Sequence, residues 1–369
     1  MAGKDSVKKA QKVAIIGGGS WGTGLAVLLG REVLDGRKSL SINLWVRRPE
    51  LAQIMIDQRI NPQYLPNVSI PSTVSISTSI SEVLTDAELV IMAVPSQNLR
   101  QIAREIKIDK SEIICSASKG IEIGTFKRMS EVLYEETNVP RRNIAVISGP
   151  SHAEEASICK ATTVVAASIS EDTADYIQRT FSTQTFRVYT TKDIRGVEYG
   201  GALKNIIAIG AGICDGLQKK ADTSIGDNAK ASLLTRGIEE IARLGIMLGS
   251  SKRTFYGLSG WGDLLVTSYS RFGRNRMVGE CLASGMTLDE IIKKLNGMIP
   301  EGVETTKAVY ELSKAINVEM PITEQIYFIL YEGKEIGTAI HDLMTRSLKP
   351  EHGYYIKGIP KRVKLALRR

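Results

Sequence analysis

Gly17, Gly19 and Gly22 are spaced G-x-G-x-x-G directly after the apolar run Val13–Gly17 and at the start of the helix-like stretch Trp21–Leu34. The first glycine permits a tight turn, the second lets a phosphate approach the backbone, and the third lets the helix lie close to the strand. The helix N-terminus then offers N–H groups and a positive dipole end to an anion. A strand before and a helix after the pattern predict a dinucleotide site rather than a bare turn. At the end of the next strand-like run stand Arg47 and Arg48, with no acid before Glu50. An acid there suits a free ribose 2′-hydroxyl, whereas an arginine pair suits a 2′-phosphate through charge and a planar fork. The pair favours NADP over NAD, solvated loop arginines being the alternative.

A second group of residues lies further along. Lys204 sits in Gly200–Gly212, an apolar stretch rich in small residues, where an ammonium is costly without a partner. Such a lysine can exchange a proton with an alcohol or ketone oxygen while hydride moves at the adjacent carbon. Snorkelling to the surface is the bland alternative. The glycine-rich run Gly257–Gly262 delivers Asp263 to a helix start, as a reactive carboxylate or as a simple cap. Arg274 and Asn275 open another helix, where an arginine fork and N-terminal amides suit a phosphate. Lys119 follows the strand Glu112–Ser116, at the rim where open α/β sheets bind ligands, although it also reads as a surface lysine. In Gly149-Pro150-Ser151-His152-Ala153-Glu154, Ser151 and Glu154 have capping-box spacing. His152 has no ligand-spaced partner, so no metal is expected.

These residues need elements to hold them. Val13–Gly17, Leu40–Val46, Glu88–Pro95, Glu112–Ser116, Asn143–Ser148, Thr162–Ala167 and Thr185–Tyr189 read as short apolar strands alternating with helices. That texture predicts an N-terminal Rossmann-like, doubly wound, mostly parallel sheet covered on both faces. From about residue 194 the chain reads as helices: Ile194–Asp215, Asp227–Leu248, Gly273–Ser284, Thr287–Leu295, Gly302–Ile316 and Ile322–Tyr331. The expected organisation is a flexible 1–11, a dinucleotide-binding domain over 12–193, an all-helical catalytic domain over 194–348 and a basic tail over 349–369.

The 369 residues carry a net charge of +8, of which Lys357–Arg369 alone supplies +6 with no acid. A nearly neutral body does not describe a nucleic-acid surface. Apolar runs fall far short of the roughly 20 residues that span a bilayer, so no membrane span is expected. Four scattered cysteines without a CxxC pair suggest a reducing compartment, hence the cytoplasm.

Taken together, the blocks Gly17–Ala26, Ser118–Gly120, Gly149–Ala156, Leu203–Gly212, Gly226–Gly245, Gly257–Thr267 and Arg274–Arg276 resemble, in order and spacing, the bacterial-type NAD(P)-dependent glycerol-3-phosphate dehydrogenases. The resemblance implies interconversion of dihydroxyacetone phosphate and sn-glycerol 3-phosphate, supplying phospholipid synthesis, with NAD or NADP, no metal and a homodimer; the arginine pair favours NADPH. Lys204 falls on the catalytic lysine. Lys119, Gly149, Ser151, Asn205, Asp263, Thr267, Arg274 and Asn275 fall on the substrate side. Gly17, Gly19, Ser20, Trp21, Gly22, Arg47, Arg48, Lys119, Ala153, Arg274, Ile299 and Glu301 fall on the cofactor side. One departure is Gly273, where bacterial members usually carry Ser before Arg-Asn. The competing readings are a related two-domain hydroxy-acid dehydrogenase and, in a different class, a non-catalytic cofactor-sensing protein.

Overall fold

Short, nearly continuous apolar runs become strands buried on both faces. The computed structural model describes residues 11–220, 225–295 and 297–351. Its strands are β1 (Gln11–Ile16), β2 (Leu40–Trp45), β3 (Ile60–Asn61), β4 (Leu65–Ser69), β5 (Val74–Ser77), β6 (Leu89–Met92), β7 (Ile113–Ser116), β8 (Ile144–Ser148), β9 (Thr162–Ala167) and β10 (Phe186–Thr191). Eight of them form one sheet in the order β10-β9-β8-β7-β6-β1-β2-β5, while β3 and β4 pair as a separate antiparallel hairpin. Every neighbouring pair in the large sheet is parallel except β8 and β9, where Val146 faces Ala167. Alternation along β1 sends Val13 and Ile15 into one core and Ala14 and Ile16 into the other. This is the mostly parallel, doubly wound sheet that the strand–helix alternation predicts.

The topology also shows where a ligand belongs. β1 pairs with β2 on one side and with β6 on the other, so the strand order reverses between β1 and β6. Ligands of open α/β sheets bind outside the carboxyl ends of the strands at such a switch point. β5 and the β3–β4 hairpin were not among the expected strands. Both are brief and carry exposed polar positions, so their hydrophobic signal is weak.

The chain divides into two compact units. The first runs to Gly120 and resumes over Lys127–Glu198; the second holds Ile121–Phe126 and everything described from Tyr199 onward. Ile121–Phe126 joins the second unit because Ile121 is fully buried in its core, with Ile123 and Phe126 packed against it. Among the described residues the second unit is all helical, including Asp227–Met247, Asp263–Tyr269, Arg274–Ala283, Glu301–Ala315 and Pro321–Tyr331. Its central helix belongs to Ile194–Lys219. A Cβ added at Gly279 would stand 2.0 Å from the Ile209 carbonyl oxygen, so helices Ile194–Lys219 and Arg274–Ala283 nearly touch through their backbones.

No described helix is long and apolar enough to cross a membrane. Residues 1–10 and most of the basic tail, 352–369, lie outside the described residues.

Candidate active site

The glycine turn at the end of β1 is forced by close approach. Gly17 has φ +126°, and a Cβ there would lie 2.4 Å from the Ala93 carbonyl oxygen at the end of β6. A Cβ at Gly22 would lie 1.9 Å from the Gly17 oxygen. Nothing stands within 4 Å of a Cβ at Gly19, the one side left open for a ligand. Gly19 is also the N-cap of the helix Ser20–Leu34 and supplies no side-chain acceptor. The first-turn N–H groups, which have no intrahelical partner, are therefore available to an anion. This cradle fits the diphosphate of a dinucleotide.

Neighbouring strand ends are stitched around that crevice. Ser118 Oγ after β7 donates to the carbonyl oxygen of Met92 on β6, at 3.3 Å. Lys119 Nζ donates to the Gly149 oxygen after β8 at 3.1 Å, and Ser151 Oγ donates to the same oxygen at 2.9 Å. Ser151 is thus not the helix cap that its spacing with Glu154 predicts. The short helix is Ala153–Ala156 with His152 at the N-cap, because the Ser151 hydroxyl is already turned back to Gly149. Ala153 is buried against Gly24, where a Cβ would come within 3.2 Å of its own. Trp21 is half-buried, its ring 6.4 Å from that of Phe186.

The two arginines after β2 separate in role. Arg48 donates to Gln63 Oε1 and lies over the Tyr64 ring, 5.7 Å from its centroid. Arg47 is exposed at the same strand end.

In the second unit the buried lysine has its partners. Lys204 is 5% exposed, with Nζ 2.6 Å from Thr267 Oγ1 and 3.1 Å from Asp263 Oδ1. Thr267 Oγ1 in turn stands 3.3 Å from Asp263 Oδ1. Asp263 and Thr267 are four apart on the helix Asp263–Tyr269, so one face presents both to the lysine. Asp263 therefore does not cap: the N-cap is Gly262, and the carboxylate is the counter-charge of a buried ammonium. Next door, Asn275 Nδ2 donates to Asn205 Oδ1 at 2.9 Å, and Asn275 Oδ1 accepts the Gly302 N–H at 3.0 Å. Those bonds tie helices Arg274–Ala283 and Glu301–Ala315 to the helix that carries Lys204 and Asn205.

Arg274 is the exposed first residue of the helix Arg274–Ala283, beside Asn275. Gly273 is its N-cap, and a Cβ there would lie 2.5 Å from the Thr267 oxygen, so a serine would have to displace this turn. Ile299 is 45% exposed, and Glu301 begins the helix Glu301–Ala315. Burial pushes the Cys115 thiol well up and the Cys214 thiol up to about 11, which leaves both as inert packing groups.

Sequence reasoning missed Asn61, whose bonds join segments distant in sequence. It also missed Asp215, which accepts from Lys230 Nζ at 2.8 Å and from Arg276 Nε at 2.5 Å and so anchors the start of the Arg274–Ala283 helix. No local spacing marks these residues.

The chain is similar to known proteins over nearly its whole length. The family model of the NAD-dependent glycerol-3-phosphate dehydrogenase N-terminus matches residues 12–174, and that of the C-terminus matches 193–341. A glycerol-3-phosphate dehydrogenase [NAD(P)+] of Chlorobium limicola is 48% identical over 342 residues, 92% of this chain and 99% of the relative. One from Moorella thermoacetica is 46% identical over 91% of this chain and 96% of the relative. The crystal structure of a glycerol-3-phosphate dehydrogenase from Coxiella burnetii superposes with a TM-score of 0.83 at 34% identity, covering 91% of this chain and 99% of that one. A D-mandelate dehydrogenase structure shares only the fold, at 12% identity and a TM-score of 0.54 over 88% of this chain and 98% of that one.

Proposed function

The chain belongs to the NAD-dependent glycerol-3-phosphate dehydrogenase family, and from that premise we propose that it reversibly reduces dihydroxyacetone phosphate to sn-glycerol 3-phosphate. The observation that carries the reading is the buried Lys204 ammonium held between Asp263 and Thr267. A bound nicotinamide cofactor supplies hydride to the carbonyl carbon. Lys204 Nζ gives a proton to the carbonyl oxygen as the C–O π bond breaks, and takes it back in the reverse direction. Asp263 keeps the ammonium charged and aimed, and the positive charge meets the developing alkoxide without a metal. Arg274, with the first N–H groups of its helix, receives the substrate phosphate. Asn205 and Asn275 orient the substrate hydroxyl and carbonyl.

On the cofactor side, Gly17, Gly19, Ser20, Trp21 and Gly22 receive the diphosphate and its neighbouring riboses. Lys119, Ala153, Ile299 and Glu301 are the further cofactor-contacting positions that the family resemblance implies, and Lys119, Gly149 and Ser151, which share the Gly149 oxygen, are substrate-side positions. Arg47 and Arg48 favour NADPH, with NADH accepted. The product serves phospholipid synthesis in the cytoplasm, and the working form is a homodimer, two-fold pairing being the commonest assembly of soluble enzymes. The test is an absorbance assay at the nicotinamide band with dihydroxyacetone phosphate, run with NADH and with NADPH. Absence of oxidation with either cofactor rejects the activity.

A further inference from the structure

The β3–β4 hairpin is an excursion between the second helix and β5, outside the main sheet, yet it places a fully buried amide against the glycine turn. Asn61 is 0% exposed. Its Oδ1 accepts the backbone N–H of Tyr64 at 3.2 Å, which fixes which end of the amide faces which way. The Nδ2 group then faces the turn, donating to the Gly18 carbonyl oxygen at 2.9 Å and to Thr23 Oγ1 at 2.8 Å. Every polar atom of this side chain is used.

Across a trans peptide the carbonyl oxygen and the following N–H point in opposite directions. Drawing the Gly18 oxygen toward Asn61 therefore turns the Gly19 N–H to the opposite side, at the N-cap of the helix Ser20–Leu34. The same hairpin carries Gln63 and Tyr64, the partners of Arg48. We propose that Asn61 is a positioning residue for dinucleotide binding: its amide sets the Gly18–Gly19 peptide so that the turn's N–H groups face the cofactor diphosphate, while the adjoining Gln63 and Tyr64 hold Arg48. This inference rests on the dinucleotide reading above.

Asn61→Asp keeps the acceptor for Tyr64 but loses the amide donor to both Gly18 and Thr23, of which Thr23 can donate to the carboxylate instead and the Gly18 oxygen cannot. Titration of cofactor fluorescence should show the Kd for NADPH and for NADH raised about tenfold, as loss of one buried hydrogen bond would give. KM for NADPH should rise with it, while kcat at saturating cofactor stays within about twofold. The control is Thr73→Val. Thr73 Oγ1 donates to the Gly30 oxygen at 2.7 Å, in the last turns of the same helix, so its loss loosens the helix without touching the turn. An Asn61→Asp Kd equal to wild type overturns the proposal, and so does an equal loss in Thr73→Val. If Asn61→Asp does not fold, Thr23→Val is read by the same titration. It should weaken binding about threefold, because the amide loses one of its two acceptors, and an unchanged Kd overturns the proposal there as well. Wild-type protein that binds neither cofactor would remove the dinucleotide reading itself.

Discussion

Lys204 Nζ stands 3.1 Å from Asp263 Oδ1, and both side chains are more than nine-tenths buried. A charge withdrawn from water costs several kcal/mol unless it is paired. The pair thus gives a lysine in an apolar helix environment its counter-charge. That is the arrangement the proposed proton donor requires.

Lys204→Ala should lower kcat by about 10²–10⁴-fold while the Kd for NADPH changes little, as the proposed action on the substrate oxygen requires. Lys204→Arg should fail as well, because a guanidinium does not release its proton at neutral pH. Steady-state rates and cofactor titrations on purified variants decide this. Near-wild-type turnover in the alanine variant would reject the acid/base role.

Asp263→Asn tests the other half of the pair. The amide keeps the shape but removes the counter-charge, leaving a buried ammonium unpaired. Reduction should slow by about 10²-fold while the Kd for NADPH changes little. Turnover near wild type would mean that Asp263 only fills space.

Arg274→Ala should raise the KM for dihydroxyacetone phosphate and matter far less for unphosphorylated dihydroxyacetone, itself a poor substrate. Equal proportional losses on the two would assign the exposed arginine to the cofactor or to the helix instead.

A separate prediction concerns stability. Glu240 is 1% exposed and accepts from the N–H groups of Ile322 and Thr323 at 2.9 and 2.8 Å, capping the helix Pro321–Tyr331 from a neighbouring helix. Burial pushes its carboxyl above the usual range, although those hydrogen bonds oppose the shift. The folded protein therefore binds this proton more tightly than the unfolded chain does. The stabilisation from that difference is full below the ordinary carboxylate pKa and is lost as pH rises through the raised value. The Tm of wild type minus that of Glu240→Gln should fall as pH rises from about 4 to about 8. A difference that grows with pH would show that the helix-end hydrogen bonds outweigh desolvation.

Much of this was legible beforehand for a physical reason. The glycine turn, the strand–helix alternation and the Lys204 helix are local: spacing within about a dozen residues encodes each. Capping at Ser151 was misread because the hydroxyl has two possible backbone partners, and the sequence does not say that Gly149 is the nearer. Asn61 lies 43 residues from Gly18 and Asp215 lies 61 from Arg276, and only the folded chain brings them together. Asp263 was legible as a helix-start residue, but its role depends on Lys204, 59 positions earlier.

The proposed cofactor preference rests on the two arginines after β2, which have different contacts. Both are exposed; Arg48 donates to Gln63 and lies over the Tyr64 ring, whereas Arg47 stands at the strand end. A charge-assisted hydrogen bond from Arg to a ribose 2′-phosphate contributes about 1.5–3 kcal/mol at a sheltered site. Exposure weakens it through solvent and salt, so the preference for NADPH over NADH should be nearer tenfold than a thousandfold. Arg47→Asp should invert the order, since aspartate repels the phosphate and can accept a hydrogen bond from the free 2′-hydroxyl of NADH. Arg48→Ala should cost less discrimination, because its guanidinium is already shared with Gln63. The measurement is kcat/KM for both cofactors at low and high salt. A wild type inactive with NADPH, or an Arg47→Asp variant that keeps the NADPH preference, would leave both arginines as solvated loop residues.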